Sequence, residues 1–157
     1  MTTGIKETIY CEDGFYIGDP CYALDDALYD EWLKWADERK KTEGSWRSEG
    51  KFVFDGNDIM ISDHTKYGDG FYDGCVVDSG NIAVIPLGYC DSKKDYHDYG
   101  SVIDNYTGKV TLHTDENGDF YIRWGKWDSE TIHTGGETLQ RRKNMQWRRR
   151  RISTKRE

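Results

Sequence analysis

Two short segments hold most of the side chains that could do chemistry together. The first is Tyr16-Ile17-Gly18-Asp19-Pro20-Cys21-Tyr22 and the second is Thr65-Lys66-Tyr67-Gly68-Asp69-Gly70-Phe71-Tyr72, which continues through Val77-Asp78-Ser79-Gly80-Asn81 to Pro86-Leu87. If Asp19, Tyr22, Tyr67, Asp69 and Tyr72 gather at one end of a sheet, they make a binding pocket. The tyrosines would then form a stacking wall and the aspartates would accept hydrogen bonds from a ligand. Asp19 also has a simpler use. Pro20 fixes its own φ and holds Asp19 extended, so the Asp19 carboxylate can bond backbone amides around a turn between strand and helix.

Other chemistry finds less in the chain. Cys21 or Cys75 with His64 and an aspartate could make a nucleophilic site, but no Gly-x-Ser-x-Gly elbow is present. The four cysteines, at 11, 21, 75 and 90, contain no Cys-x-x-Cys pair, and no two of the histidines at 64, 97, 113 and 133 are spaced to share a metal. They read as reduced thiols, and neither a metal nor a cofactor is expected. Asp115-Glu116-Asn117-Gly118-Asp119 resembles a calcium loop only in composition, since an EF-hand register would start at His113 and end at Trp124. It reads as a turn. Gly68-Asp69-Gly70 fits neither phosphate-cradling glycine motif and serves to turn the chain.

Charge is divided sharply along the sequence. Residues 1 to 140 carry 28 acidic and 13 basic side chains, whereas residues 141 to 157 carry nine basic and one acidic. A dense negative field attracts and orients cationic partners, so the acidic body points to a protein with a basic surface as its target. The tail includes Arg148, Arg149, Arg150 and Arg151 beside Trp147, which could contact nucleic acid, although the acidic body opposes a phosphate backbone. With almost no apolar residues, the tail is expected to stay disordered.

These groups must be positioned by a small α+β domain. At 157 residues the chain suits one domain, expected over residues 1–140, and its 14% aromatic content means that much of the core is aromatic. The strongest helical pattern runs from Leu24 to Lys41, with Leu28, Trp32 and Trp35 near one face, acids early and bases late. No second helix is evident. Lys6 to Gly18, broken at Glu12-Asp13-Gly14, reads as a β-hairpin. Short strands are expected at 51–54, 58–62, 74–78, 81–87 and 101–104, and a second hairpin pairs 109–114 with 119–124 across Asn117-Gly118. The expected architecture is a single, mostly antiparallel, twisted sheet covered by the helix, with a small barrel plugged by the helix as the competing arrangement. No run of 18 apolar residues and no signal-peptide core are visible, so a cytoplasmic protein is expected.

The Gly-Asp-Pro-Cys-Tyr and Tyr-Gly-Asp-Gly segments, with the Asp-Ser-Gly strand that ends in Pro-Leu, resemble small uncharacterised proteins of bacteriophage and related bacterial genomes. The resemblance spans residues 14 to 90 and carries no activity, cofactor or residue role. It implies a host cytosolic setting and a host or defence component as partner. Three functions follow: a non-enzymatic interaction protein that binds and blocks such a component; a protein that binds or sequesters a small ligand such as a nucleotide signal; and a small hydrolase.

Overall fold

The computed structural model describes residues 7–43, 50–64, 69–72, 75–114, 120–125 and 131–133. Eleven strands occur among them: β1 (Glu7–Cys11), β2 (Gly14–Gly18), β3 (Gly50–Phe54), β4 (Asn57–His64), β5 (Gly70–Tyr72), β6 (Cys75–Val77), β7 (Asn81–Pro86), β8 (Ser101–Asp104), β9 (Gly108–Thr114), β10 (Phe120–Trp124) and β11 (Thr131–His133). Helix α1 (Asp26–Glu43) follows a single 3-10 turn at Pro20–Tyr22, and α2 (Tyr96–Tyr99) is one turn long. No described helix is long and apolar enough to cross a membrane.

The expected single sheet is two. One has the order β1-β9-β10-β11, the other β3-β4-β7-β2-β8, and β5 and β6 form a separate ribbon. All strand pairs among the described residues are antiparallel, and they form no closed barrel. The α+β expectation stands at this coarser level.

The source of the second sheet is the turn read as a hairpin. β1 and β2 do form on either side of Glu12-Asp13, but they do not pair with each other. β1 pairs with β9, whereas β2 lies between β7 and β8. Asp13 at φ 63° and Gly14 at φ 108° swing the chain out of one sheet and into the other. A side chain on Gly14 would strike the Ile103 carbonyl at 2.7 Å, so glycine is required for space as well as for φ.

Strand β7 explains why two sheets and a helix stack in three layers. All six of its residues are buried. Ile82 and Val84 join Ile9, Phe15, Ile17, Val110, Leu112 and Ile122 between the sheets, while Ala83 and Ile85 join Tyr16, Leu24, Trp32, Phe52 and Met60 beneath α1. A central strand covered on both faces needs the continuous apolar run Ile82-Ala83-Val84-Ile85 rather than alternation. In β9, by contrast, buried Val110 and Leu112 alternate with the less buried Lys109, Thr111 and His113. The expected hairpin of β9 and β10 is present, with Thr114 opposite Phe120; its Asn117-Gly118 turn lies outside the described residues.

Helix α1 starts where Asp25 caps it, its carboxylate accepting from the Leu28 amide at 2.8 Å. Of its expected core face, Trp32 is 1% exposed, while Leu28 and Trp35 are half-buried against the same cluster. Trp35 sits between the Phe52 ring, 5.7 Å away, and the Arg39 guanidinium, 4.8 Å from its centroid. Trp32→Ala should therefore cost about 3–5 kcal/mol in urea melts, and Trp35→Ala clearly less, because only Trp32 leaves a sealed cavity. Equal losses, or the reverse order, would show that the buried face of α1 is assigned wrongly.

Candidate functional site

The two segments that stand out in the sequence meet at one end of the five-stranded sheet, where β2 finishes and β7 and β8 begin. Gly18 ends β2, and its missing side chain leaves room for the Tyr16 ring; a Cβ there would lie 2.5 Å from the Tyr16 hydroxyl. Asp19 follows in the extended conformation that Pro20 imposes, with φ −69° and ψ 129°.

The Asp19 side chain is completely buried. Its Oδ1 accepts from the Cys21 amide at 2.8 Å and the Ser79 hydroxyl at 2.8 Å, and its Oδ2 accepts from the Asp78 and Ser79 amides, both at 2.6 Å. Its carbonyl accepts from the buried Tyr16 hydroxyl at 2.9 Å. One carboxylate thus caps the 3-10 turn and clasps the β6–β7 turn some 60 residues later in the chain. Gly80, at φ 76°, completes that turn, and the Asn81 amide group donates to the Ser79 carbonyl at 3.0 Å.

Outside this clasp lies an aromatic and acidic surface. Tyr22 donates its hydroxyl to the Asp78 carboxylate and stacks on Tyr99, with centroids 4.3 Å apart and planes 14° from parallel. Val76 packs beneath both rings. Asp78 and Asp95 are exposed, and Asp98 sits half-buried beside Tyr99. Lys94 ties the 3-10 turn to the start of α1, donating to the Cys21 carbonyl at 3.2 Å and to Asp26 at 3.1 Å.

Of the five residues expected to form a pocket, Asp19 and Tyr22 do come together, but as a buried fastener and a surface ring. Asp69 is exposed. Because Gly70 pairs with Val77, Asp69 and Asp78 each lie one residue beyond the last pair of the β5–β6 ribbon. The backbone of Tyr72 lies in β5 opposite Cys75. Tyr67 and the Tyr72 side chain lie outside the described residues, as do the tail arginines Arg148, Arg149, Arg150 and Arg151 and the whole of residues 134–157. Asp19 has both oxygens engaged within the protein, so it is a positioning group. Asp78 and Tyr99, which sequence reasoning did not single out, form the surface with Tyr22. The Asp-Ser-Gly turn pointed toward Asp78; nothing local in Tyr96-His97-Asp98-Tyr99 pointed to a stack with Tyr22.

The thiols offer no ready nucleophile here. Cys21 is pushed well above its ordinary pKa by burial, then by the charge and hydrogen bonding of Asp19, and so stays a neutral thiol. Cys75 is buried, its Sγ donating to the Ile17 carbonyl at 3.5 Å. Among the described residues no group of three or more His, Cys, Asp or Glu is arranged to hold a metal ion. Set against known proteins, the chain matches no family model, no curated protein and no solved structure.

Two predictions follow from these environments. Asp19→Asn replaces one acceptor oxygen by a donor that faces buried N–H and O–H groups. With charge-assisted bonds each contributing about 1.5–3 kcal/mol, the variant should lose at least 3 kcal/mol in denaturant melts. A loss under about 1 kcal/mol would contradict the clasp.

The second concerns alkaline pH. Burial raises Cys11 to about 12, and it raises Tyr16 well above the ordinary phenol value, with the nearby Cys75 and Asp19 adding to the shift. Burial likewise raises Tyr22, aided by its bond to Asp78, and Tyr29, aided by the charge of Asp19. Folding raises these values, so the unfolded chain releases its protons first. Stability is therefore intact below about pH 8.5 and falls as the pH climbs beyond it, by up to about 1.4 kcal/mol per pH unit for each fully buried group such as Cys11 or Tyr16. Phenolate absorbance should rise in two stages, the later one coinciding with loss of the near-UV circular dichroism. A single smooth titration centred near pH 10, with the fold intact, would be the contrary result.

Proposed function

We propose that this protein is a non-enzymatic interaction protein, which docks the basic surface of another protein on the acidic, tyrosine-topped end of its five-stranded sheet and so blocks it. The observation that carries this reading is the stacked Tyr22–Tyr99 pair with Asp78 held against it and Asp26, Asp95 and Asp98 on the neighbouring turns. A stacked tyrosine pair with a carboxylate held against it suits arginine and lysine side chains, because the ring quadrupole and the carboxylate attract the same cation. Tyrosine adds contact area at little cost in side-chain entropy. The surface is also rigid before it binds, since the Asp19 clasp fixes the turns that carry Tyr22 and Asp78.

The acidic body supplies long-range attraction toward a cationic partner, and the resemblance to phage-associated proteins directs attention to a host or defence component. The small-ligand reading of this same end has less support, because Asp19 is saturated by the protein's own donors.

The test uses the full chain as bait in bacterial lysate, beside a folded Asp26→Lys/Asp95→Lys/Asp98→Lys variant, with the retained protein identified, purified and titrated. The partner's affinity should fall at least tenfold in the variant. It should also fall between 50 and 500 mM salt, as the Debye length contracts from about 14 to about 4 Å. A partner that binds the variant equally well, or capture of nucleic acid alone, would overturn the proposal.

A further inference from the structure

At the other end of β7 from the Asp19 clasp, the chain crosses from one sheet to the other. Strand β7 starts beside the end of β2, with Ala83 opposite Gly18, and finishes beside its start, with Pro86 opposite Phe15. Between that finish and the β1–β2 turn lies a concavity of about 510 Å³. Tyr10, Glu12 and Asp13 line one side, and Leu87, Gly88 and Tyr89, the 3-10 turn that follows β7, line the other. The alternation that buries Ile9 and Cys11 turns Tyr10 outward, so that this ring is 59% exposed although it lies within a strand. Glu12 and Asp13 are exposed beside it.

Both sides are held in place by the backbone. The Asp13 amide donates to the Thr107 hydroxyl at 3.0 Å and the Gly14 amide to the Tyr106 carbonyl at 2.8 Å, which ties the turn carrying the two carboxylates to the loop before β9. Across the concavity, the Cys90 amide donates to the Leu87 carbonyl at 3.1 Å and the Asp91 amide to the Ala23 carbonyl at 2.7 Å, so the 3-10 turn is closed and anchored. Leu87 and Tyr89 pack in part against the core beneath α1 and stay half-buried. Gly88 is exposed between them, without a positive φ, and no atom lies within 4 Å of the place a Cβ would take. Its backbone is therefore open to a ligand, and a larger residue fits there without strain.

We propose that this concavity binds an aliphatic polyamine. Two neighbouring carboxylates call for more than one positive charge, and Glu12 and Asp13 would each accept from an ammonium group. The ring faces of Tyr10 and Tyr89 attract the same cations, while Leu87 and Pro86 offer apolar contact to the methylene run between the charges. The volume lies within the range for small-molecule sites. A hard metal ion suits this lining less well, because it needs a shell of oxygen ligands and gains nothing from aromatic and aliphatic neighbours. The site shares no residue with the Tyr22–Tyr99 surface and stands or falls independently of it.

The full chain would be titrated by calorimetry and by 15N NMR, at physiological salt, with spermidine, putrescine, 1,4-butanediol and magnesium chloride. Saturable binding of one spermidine is expected, with putrescine weaker, the uncharged diol weaker still, and amide shifts centred on Glu12, Asp13, Gly88 and Tyr89. Glu12→Gln should weaken binding about tenfold, the order expected for losing one charge-assisted contact. Gly88→Leu should weaken it at least as much, by filling the concavity while leaving every charge in place. That variant separates a site from the diffuse attraction of a cation to an acidic protein, which it would not alter. Both positions are exposed, so each variant should keep the wild-type melting temperature to within a few degrees. No saturable binding of spermidine below about 5 mM, shifts centred elsewhere, or unchanged affinity in Gly88→Leu would overturn the proposal. Equal binding of butanediol, or magnesium shifting these amides where spermidine does not, would overturn it as well.

Discussion

The buried carboxylate of Asp19 is the interaction on which the end of the five-stranded sheet beyond β2 depends. Removing a carboxylate from water costs several kcal/mol unless its oxygens are satisfied, and here four donors satisfy them. Three of the four come from the Asp78-Ser79 turn, so the chain bears the cost of burial only when β2 and the β6–β7 turn are both in place. Asp19 is thus a condition on the topology as well as a stabilising contact. It specifies which turn lies against the end of β2, and through that turn it sets where β7 enters the sheet.

Much of the remaining architecture can be traced from there. β7 runs antiparallel to β2, with Ala83 opposite Gly18, and its two faces divide the core into a layer between the sheets and a layer beneath α1. Tyr16 belongs to the second layer, yet its hydroxyl reaches back to the Asp19 carbonyl, which joins the helix-side core to the clasp. The surfaces with chemistry lie at the margins of this frame. Carboxylates and stacked tyrosines occupy one end of the five-stranded sheet, and the concavity between Tyr10 and Tyr89 opens at the other.

The sequence spelled out local structure better than pairing. α1, β8 and the β9–β10 pair were legible because 3.6-residue and two-residue periods and cap residues are local signals, and the structure sets β8 at Ser101–Asp104 as expected. The β1–β2 turn misled because Asp-Gly between apolar runs marks a reversal without saying whether the flanking strands stay together; the partners of β1 and β2 lie about 100 and 70 residues downstream. β5 and β11, three residues each, were too short to announce themselves. Within the candidate site, the fixed geometry of Gly18-Asp19-Pro20 foretold a carboxylate bonded to amides. That two of those amides belong to Asp78 and Ser79 is a tertiary fact, and so is the meeting of Tyr22 with Tyr99. The concavity at the β1–β2 turn escaped notice because Tyr10 and Glu12 lie far from Gly88 and Tyr89 along the chain and meet them only through the fold.

Hydrogen exchange of the Asp78 and Ser79 amides measures the central interaction most directly. Both lie in a turn near the surface, where an unclasped amide would exchange within a small fraction of the time needed for the core strands. The account predicts that these two protons exchange only through global unfolding, with the same opening free energy as the Ala83 and Val84 amides of β7, and that Asp19→Asn abolishes their protection before it affects Ala83. If Asp78 and Ser79 exchange in the wild-type protein as fast as exposed loop amides, the Asp19 clasp does not hold this end of the molecule and the account is wrong.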